Sequence, residues 1–80
     1  MIKEIRAVLR KYAGLSVDVD TVLPEADLYA AGLTSHGVVD MMVALEDAFS
    51  VEFPDRLLNR NSFQSIASIQ EAVSNATPLT

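Results

Sequence analysis

Ile2, Ile5, Leu9 and Tyr12 recur at spacings of three and four residues, with Val8 beside them. That spacing is one face of a helix. Lys3, Arg6, Arg10 and Lys11 fall off the stripe, and Gly14 supplies a stop. The pattern predicts a helix over 2–13. A second stripe, Val38, Met42, Leu45 and Phe49, predicts a longer helix over 35–50, capped by Thr34 or Ser35. Met41 falls off the centre of that stripe and is expected at the surface, as an adaptable contact residue. Phe53-Pro54 ends the region, because the residue before proline avoids the α conformation. Asp55-Arg56-Leu57-Leu58 then predicts a short helix over 55–59. Phe63, Ile66, Ile69 and Val73 predict a last helix over 62–75. Asn61 or Ser62 would cap it, and Asn61 with Gln64 has the spacing of a capping box. Thr77-Pro78-Leu79-Thr80 reads as a frayed end.

Residues 15–34 carry no long period. Pro24 breaks any helix there, while Asp27-Leu28-Tyr29-Ala30-Ala31 fits one helical turn closed by Gly32. Leu15, Val17, Val19, Val22 and Leu23 make this a connection packed on the core rather than a loose one. The fold class is therefore all-α: three main helices and a short third one, with a long loop between the first two. Residues 1–80 form a single domain.

Composition narrows the chemistry. The 80-residue chain has no Cys and a single His. Disulfides, Cys-type zinc, iron–sulfur clusters and a Cys nucleophile are excluded, and a His-rich metal site with them. The start has no apolar signal core, and no apolar run approaches the length of a membrane span. These features predict a soluble, cytoplasmic protein.

Charge is unevenly spread. The chain carries −5 overall, yet residues 1–13 carry +3. Nine acids and no Lys or Arg lie between Lys11 and Arg56. Nucleic acid is a poor partner for such a surface, since phosphate contacts need basic side chains. Basic protein partners suit it, although net charge for solubility alone accounts for it as well.

Candidate catalytic groups fail individually. Asp18-Val19-Asp20 opens like a calcium loop, but Val22 and Tyr29 stand where ligands belong, so it reads as a turn. Ser35-His36 has the residue types of a nucleophile and base. However, helix neighbours point about 100° apart, and neither the preceding strand nor the spacing of a hydrolase elbow is present. No catalytic residue is assigned. Ser35 itself remains, where a long loop meets a striped helix. A helix start accommodates a phosphate well, and it also simply needs a cap. Local physics favours the cap.

Asp27-Leu28, Gly32-Leu33-Thr34-Ser35, Met42-Val43-Ala44-Leu45-Glu46-Asp47-Ala48-Phe49 and Glu52-Phe53-Pro54-Asp55 together resemble the acyl carrier protein family. The resemblance covers nearly the whole chain and implies a four-helix acyl-carrier-like bundle. It also implies that Ser35 carries 4′-phosphopantetheine, derived from coenzyme A, through a phosphodiester. The family's Asp-Ser-Leu motif is Thr34-Ser35-His36 here. Thr34 keeps the capping role, and His36 replaces a Leu that modifying and partner enzymes commonly touch. A narrower resemblance, to the small bacterial aminoacyl carrier proteins, rests on Tyr29-Ala30-Ala31-Gly32-Leu33-Thr34-Ser35, Leu45-Glu46-Asp47-Ala48-Phe49, Leu57-Leu58-Asn59-Arg60 and Ser62-Phe63. It implies a monomeric carrier holding an amino acid as a thioester. Its partners would be a phosphopantetheinyl transferase and an amino acid:carrier protein ligase similar to class II aminoacyl-tRNA synthetases. Thr34, His36, Asp40, Met41, Glu46 and Asp47 would form the docking face. An acyl carrier for fatty-acid or polyketide synthesis, and an unmodified acidic interaction module, are the alternatives.

Overall fold

The structure is a computed structural model that describes residues 1–79; Thr80, placed by the sequence at a frayed end, lies outside the described residues. Helix α1 (Ile2–Val8) runs without a break into a π-helical turn, Leu9–Ala13, and stops at Gly14. The wider turn corrects the expected stripe: Ala13 is carried into the core beside Ile5, Val8 and Leu9, and Tyr12 is left 39 % exposed.

Residues 14–34 are held down at several points. Arg6 of α1 donates from one guanidinium nitrogen to the carbonyls of Val19 (2.7 Å) and Val22 (2.9 Å). Arg10 pairs with Asp20 at 2.6 Å. Ser16 donates to the Ala31 carbonyl from both its amide and its hydroxyl. The single turn over 27–32 begins with the Asp27 carboxylate accepting from the Tyr29 and Ala30 amides. It closes with Leu33 N–H donating to Leu28 O and Gly32 N–H to Tyr29 O. This closure needs a residue with positive φ, and Gly32 takes it at φ 113°. Val19, Val22, Leu28 and Leu33 from this connection are all buried in the core.

Helix α2 (Ser35–Phe49) is capped by Thr34, whose hydroxyl accepts from Gly37 N–H at 3.0 Å. Its buried line is Gly37, Met41 and Leu45. Met41 is fully buried, which corrects its expected exposure. The cause is Gly37: a Cβ there would stand 2.8 Å from the Ala13 carbonyl oxygen, so the absence of one lets α2 close on the end of α1. That approach turns the helix so that Met41 faces inward, while Val38 and Met42 move to its flank.

The expected short helix over 55–59 is not an α-helix. Two 3-10 turns, Asp55–Leu57 and Arg60–Phe63, occupy the region. Pro54 precedes the first, and Leu58 and Asn59 leave helical geometry before a second turn can form. Asn59 ends one turn and starts the next, donating to Arg56 O and accepting from Ser62 N–H. Helix α3 (Ile66–Asn75) therefore starts later than residue 62, and its cap is Ser65, which accepts from Ser68 N–H at 3.0 Å, not Asn61 or Ser62. The stripe Phe63, Ile66, Ile69 and Val73 is nonetheless buried throughout. Phe63 packs edge-on against Phe53, with ring centroids 5.6 Å apart.

The end after α3 is paired rather than frayed. Strand β1 (Val51–Glu52) lies antiparallel to β2 (Thr77–Pro78), Val51 opposite Pro78, and Leu79 N–H donates to Ser50 O. Among the described residues the fold is thus three α-helices around one core with a two-residue ladder at one edge.

Candidate functional site

Ser35 is the first residue of α2 and is exposed. Because Thr34 supplies the cap, the Ser35 hydroxyl is not needed to satisfy the helix. Among the described residues no hydrogen bond engages it. A helix start leaves its first amides without intrahelical acceptors and carries the positive end of the helix dipole. An anion bonded to Ser35 would lie in that field. The residues therefore fit a phosphodiester better than they fit a nucleophile. His36, which a hydrolase would need beside Ser35, is 90 % exposed and turned towards Asp40, with Nε2 3.4 Å from Oδ2.

Ser35 opens on a cleft of about 290 Å³. Three segments converge there: Tyr29 from the turn over 27–32, Val38 and Met42 from the flank of α2, and Leu58, Asn59, Arg60 and Phe63 from the connection before α3. The walls are mainly apolar. One cation stands among them, with the Arg60 guanidinium carbon 3.8 Å from the centroid of the Tyr29 ring. The Tyr29 hydroxyl donates to the Arg60 carbonyl at 3.0 Å. Burial raises the Tyr29 hydroxyl above its ordinary titration range, and the Asp27 charge adds to this against the opposing charge of Arg60.

The opposite flank of α2 differs. Tyr12, Asp40, Val43, Ala44 and Asp47 line an open groove between the π-helical turn and α2. Val39 (54 % exposed) and Val43 (57 % exposed) stand on the outer surface with Asp40 and Asp47.

Of the residues the sequence placed on a docking face, Thr34, His36, Asp40 and Asp47 are exposed along α2. Met41 is not among them, being in the core. Glu46 is half-buried, and its carboxylate accepts from Phe53 N–H at 2.9 Å, so it fixes the entry to the following segment. Sequence periodicity misses Val39 and Val43, because its stripe runs through Val38 and Met42, one residue away from the buried Gly37 and Met41. It also missed Tyr29, Leu58 and Arg60, which share no period with Ser35 and reach it only through the fold. Gly37 was the signal available for the first error. For the second, a Tyr and an Arg in separate irregular segments carry no mark of their meeting. Among the described residues no group of acids and His is placed to hold a metal ion. None of the described helices is long and apolar enough to cross a membrane.

Comparison with known proteins adds to this geometry. The family described as "Phosphopantetheine attachment site" matches residues 3–73. An aminoacyl carrier protein of Agrobacterium fabrum is 54 % identical over 69 residues, covering 86 % of this chain and 83 % of the relative. The carrier protein from Agrobacterium tumefaciens, in a crystal structure with an engineered Bradyrhizobium japonicum glycine:[carrier protein] ligase and AMP, superposes with a TM-score of 0.90 at 51 % identity. That match covers 92 % of this chain and 99 % of the other. A glycylated carrier protein in complex with the B. japonicum ligase superposes with a TM-score of 0.68 at 30 % identity, covering 89 % and 90 % of the two chains.

Proposed function

The chain belongs to the phosphopantetheine-attachment-site family of carrier proteins, and on that premise we propose that Ser35 is its attachment residue and that it carries an amino acid. The observation that carries the assignment is the division of labour at the start of α2. Thr34 caps the helix, and the adjacent Ser35 hydroxyl is exposed and unengaged. Attachment by a phosphopantetheinyl transferase would bond Ser35 Oγ to the pantetheine-bearing phosphorus of coenzyme A, with loss of the hydroxyl proton and cleavage of the diphosphate bridge, so that adenosine 3′,5′-bisphosphate leaves. The attached arm supplies the thiol that this Cys-free chain lacks, and it holds the carboxyl group of the cargo as a thioester.

The chain's own residues then do three things. Thr34 keeps the helix end formed, so that the positive end of the helix dipole would favour an anion on Ser35 by about 0.3–1 kcal/mol. The cleft beside Ser35 gives the arm an apolar wall. Thr34, His36, Asp40 and Asp47, with Val39 and Val43, present an exposed surface on which a partner can dock. Acidic rims of this kind raise association rates and leave complexes reversible, which suits a protein that visits one enzyme after another. On this reading the protein is the carrier and not the catalyst: a monomer of one domain, 1–80, working in the cytoplasm where coenzyme A and ATP are available.

The cargo reading is supported by the aminoacyl carrier relative and by the glycylated neighbour. Its test is loading. The arm-bearing protein is incubated with ATP, glycine and a glycine:carrier protein ligase, or with ATP, a fatty acid and an acyl-carrier synthetase. Gain of one glycyl group is expected. Loading by the fatty acid alone would overturn the aminoacyl cargo and return the protein to fatty-acid or polyketide chemistry.

A further inference from the structure

We infer that Arg60 is the built-in counter-ion of the phosphodiester at Ser35, held in place by Tyr29. The inference rests on the reading of Ser35 as the attachment residue.

The starting observation is how the bases are used. Arg6 is committed to the Val19 and Val22 carbonyls, and Arg10 to Asp20. Arg56 reaches the Asn75 carbonyl at the far end of α3. Lys3 and Lys11 belong to α1 and its π turn. Arg60 is the basic residue that shares a cleft with Ser35. Among the described residues its guanidinium has no carboxylate or carbonyl partner.

Its position is nevertheless fixed. The Tyr29 ring lies under the guanidinium at 3.8 Å, and the Tyr29 hydroxyl holds the backbone of the same residue at 3.0 Å. Tyr29 is itself fixed by Asp27 at the start of its turn. Stacking on a ring occupies the face of a guanidinium and leaves its N–H edge available, and that edge matches two oxygens of a phosphate. An arginine stacked in this way loses less freedom on pairing than one moving freely in solvent. The need is also evident. The chain already carries −5, and a phosphodiester adds a further negative charge on a helix that bears Asp40, Glu46 and Asp47. A cation in the cleft offsets that repulsion, and it draws the first atoms of the arm towards Val38, Met42 and Phe63 rather than towards the acidic flank.

The experiment compares the protein before and after attachment, with the mass of each sample confirming that one arm has been added. The Arg60 side-chain Nε–Hε resonance is followed, with Arg56 as internal control, and the phosphorus resonance is recorded for the wild-type protein and for Arg60→Gln and Arg60→Lys. On attachment, the Arg60 resonance is expected to shift while that of Arg56 stays. The phosphorus resonance of the Arg60→Gln protein is expected to move to the position seen in a short phosphopantetheinyl-serine peptide, with Arg60→Lys in between. Full attachment with an unmoved Arg60 resonance and one phosphorus position for all three proteins would overturn the counter-ion role and leave the attachment site standing. Absence of attachment in the wild-type protein would overturn the attachment reading itself, and this inference with it.

Discussion

The two flanks of α2 differ in chemistry. On one side Val38 and Met42 border a mainly apolar cleft that contains Ser35 and a single cation, Arg60. On the other, Val43 lies between Asp40 and Asp47 in an open groove against Tyr12. One helix makes both, because its buried line runs every fourth residue through Gly37, Met41 and Leu45. Val38 and Met42, one place further along, fall on one flank, and Asp40 and Ala44, one place before, fall on the other with Val43 and Asp47 beside them. On the proposed assignment, attachment and docking are separated by the rotation of a helix about its axis. The rotation is set by Gly37, where α2 meets the carbonyl of Ala13.

The strongest way to break this comparison is to test the rotation. Met41→Ala is expected to cost about 2–5 kcal/mol in urea unfolding, as for a buried Met in a packed core. Met42→Ala, on the half-buried flank, is expected to cost clearly less. Equal costs, or a reversed order, would mean that the helix faces the core differently and that both flanks are wrongly drawn.

The acidic flank is tested through association. Asp40→Asn with Asp47→Asn is expected to change stability by less than about 0.5 kcal/mol, since both are exposed. At low salt the same pair is expected to slow ligase loading by about tenfold, with most of the difference gone at high salt. Loading that keeps its wild-type rate and salt dependence would remove this flank from docking.

The smallest effect concerns the cleft. Burial holds the Tyr29 hydroxyl neutral beyond its ordinary value of 10.0. The folded protein then keeps this proton more tightly than the unfolded chain, so stability is complete below about pH 10 and falls as pH rises through the folded-state value. The ionised oxygen can no longer donate to Arg60 O, which acts in the same direction. Tyr29→Phe is expected to remove that part of the alkaline decline in thermal melts. An identical decline in both proteins would show that the fold does not shield the Tyr29 hydroxyl.

The sequence made some of this legible. Three helical segments, a cap at Thr34 or Ser35 and the turn closed by Gly32 follow from spacing and local chemistry, because each is decided by residues close together in the chain; the structure resolves the cap to Thr34. The errors share a cause. Met41 was placed outside because a glycine was not counted as part of an apolar line, and only contact with Ala13 gives Gly37 that place. The short helix over 55–59 has only five residues between Pro54 and the turn that Asn59 caps, so caps decided there where propensity did not. Two-residue strands carry no period, and pairing with Val51–Glu52 is what orders Thr77–Pro78. The cleft was invisible for a stronger reason: Tyr29, Ser35 and Arg60 meet only in three dimensions.

The central claim is that Ser35 is the residue that carries the arm. The most direct test is the intact mass of the protein after incubation with coenzyme A and a broad-specificity phosphopantetheinyl transferase, alongside folded Ser35→Ala. The account predicts a gain of one phosphopantetheine in the wild-type protein and none in the variant. An equal gain in Ser35→Ala, or no gain in the wild-type protein even with a transferase from its source organism, would contradict it.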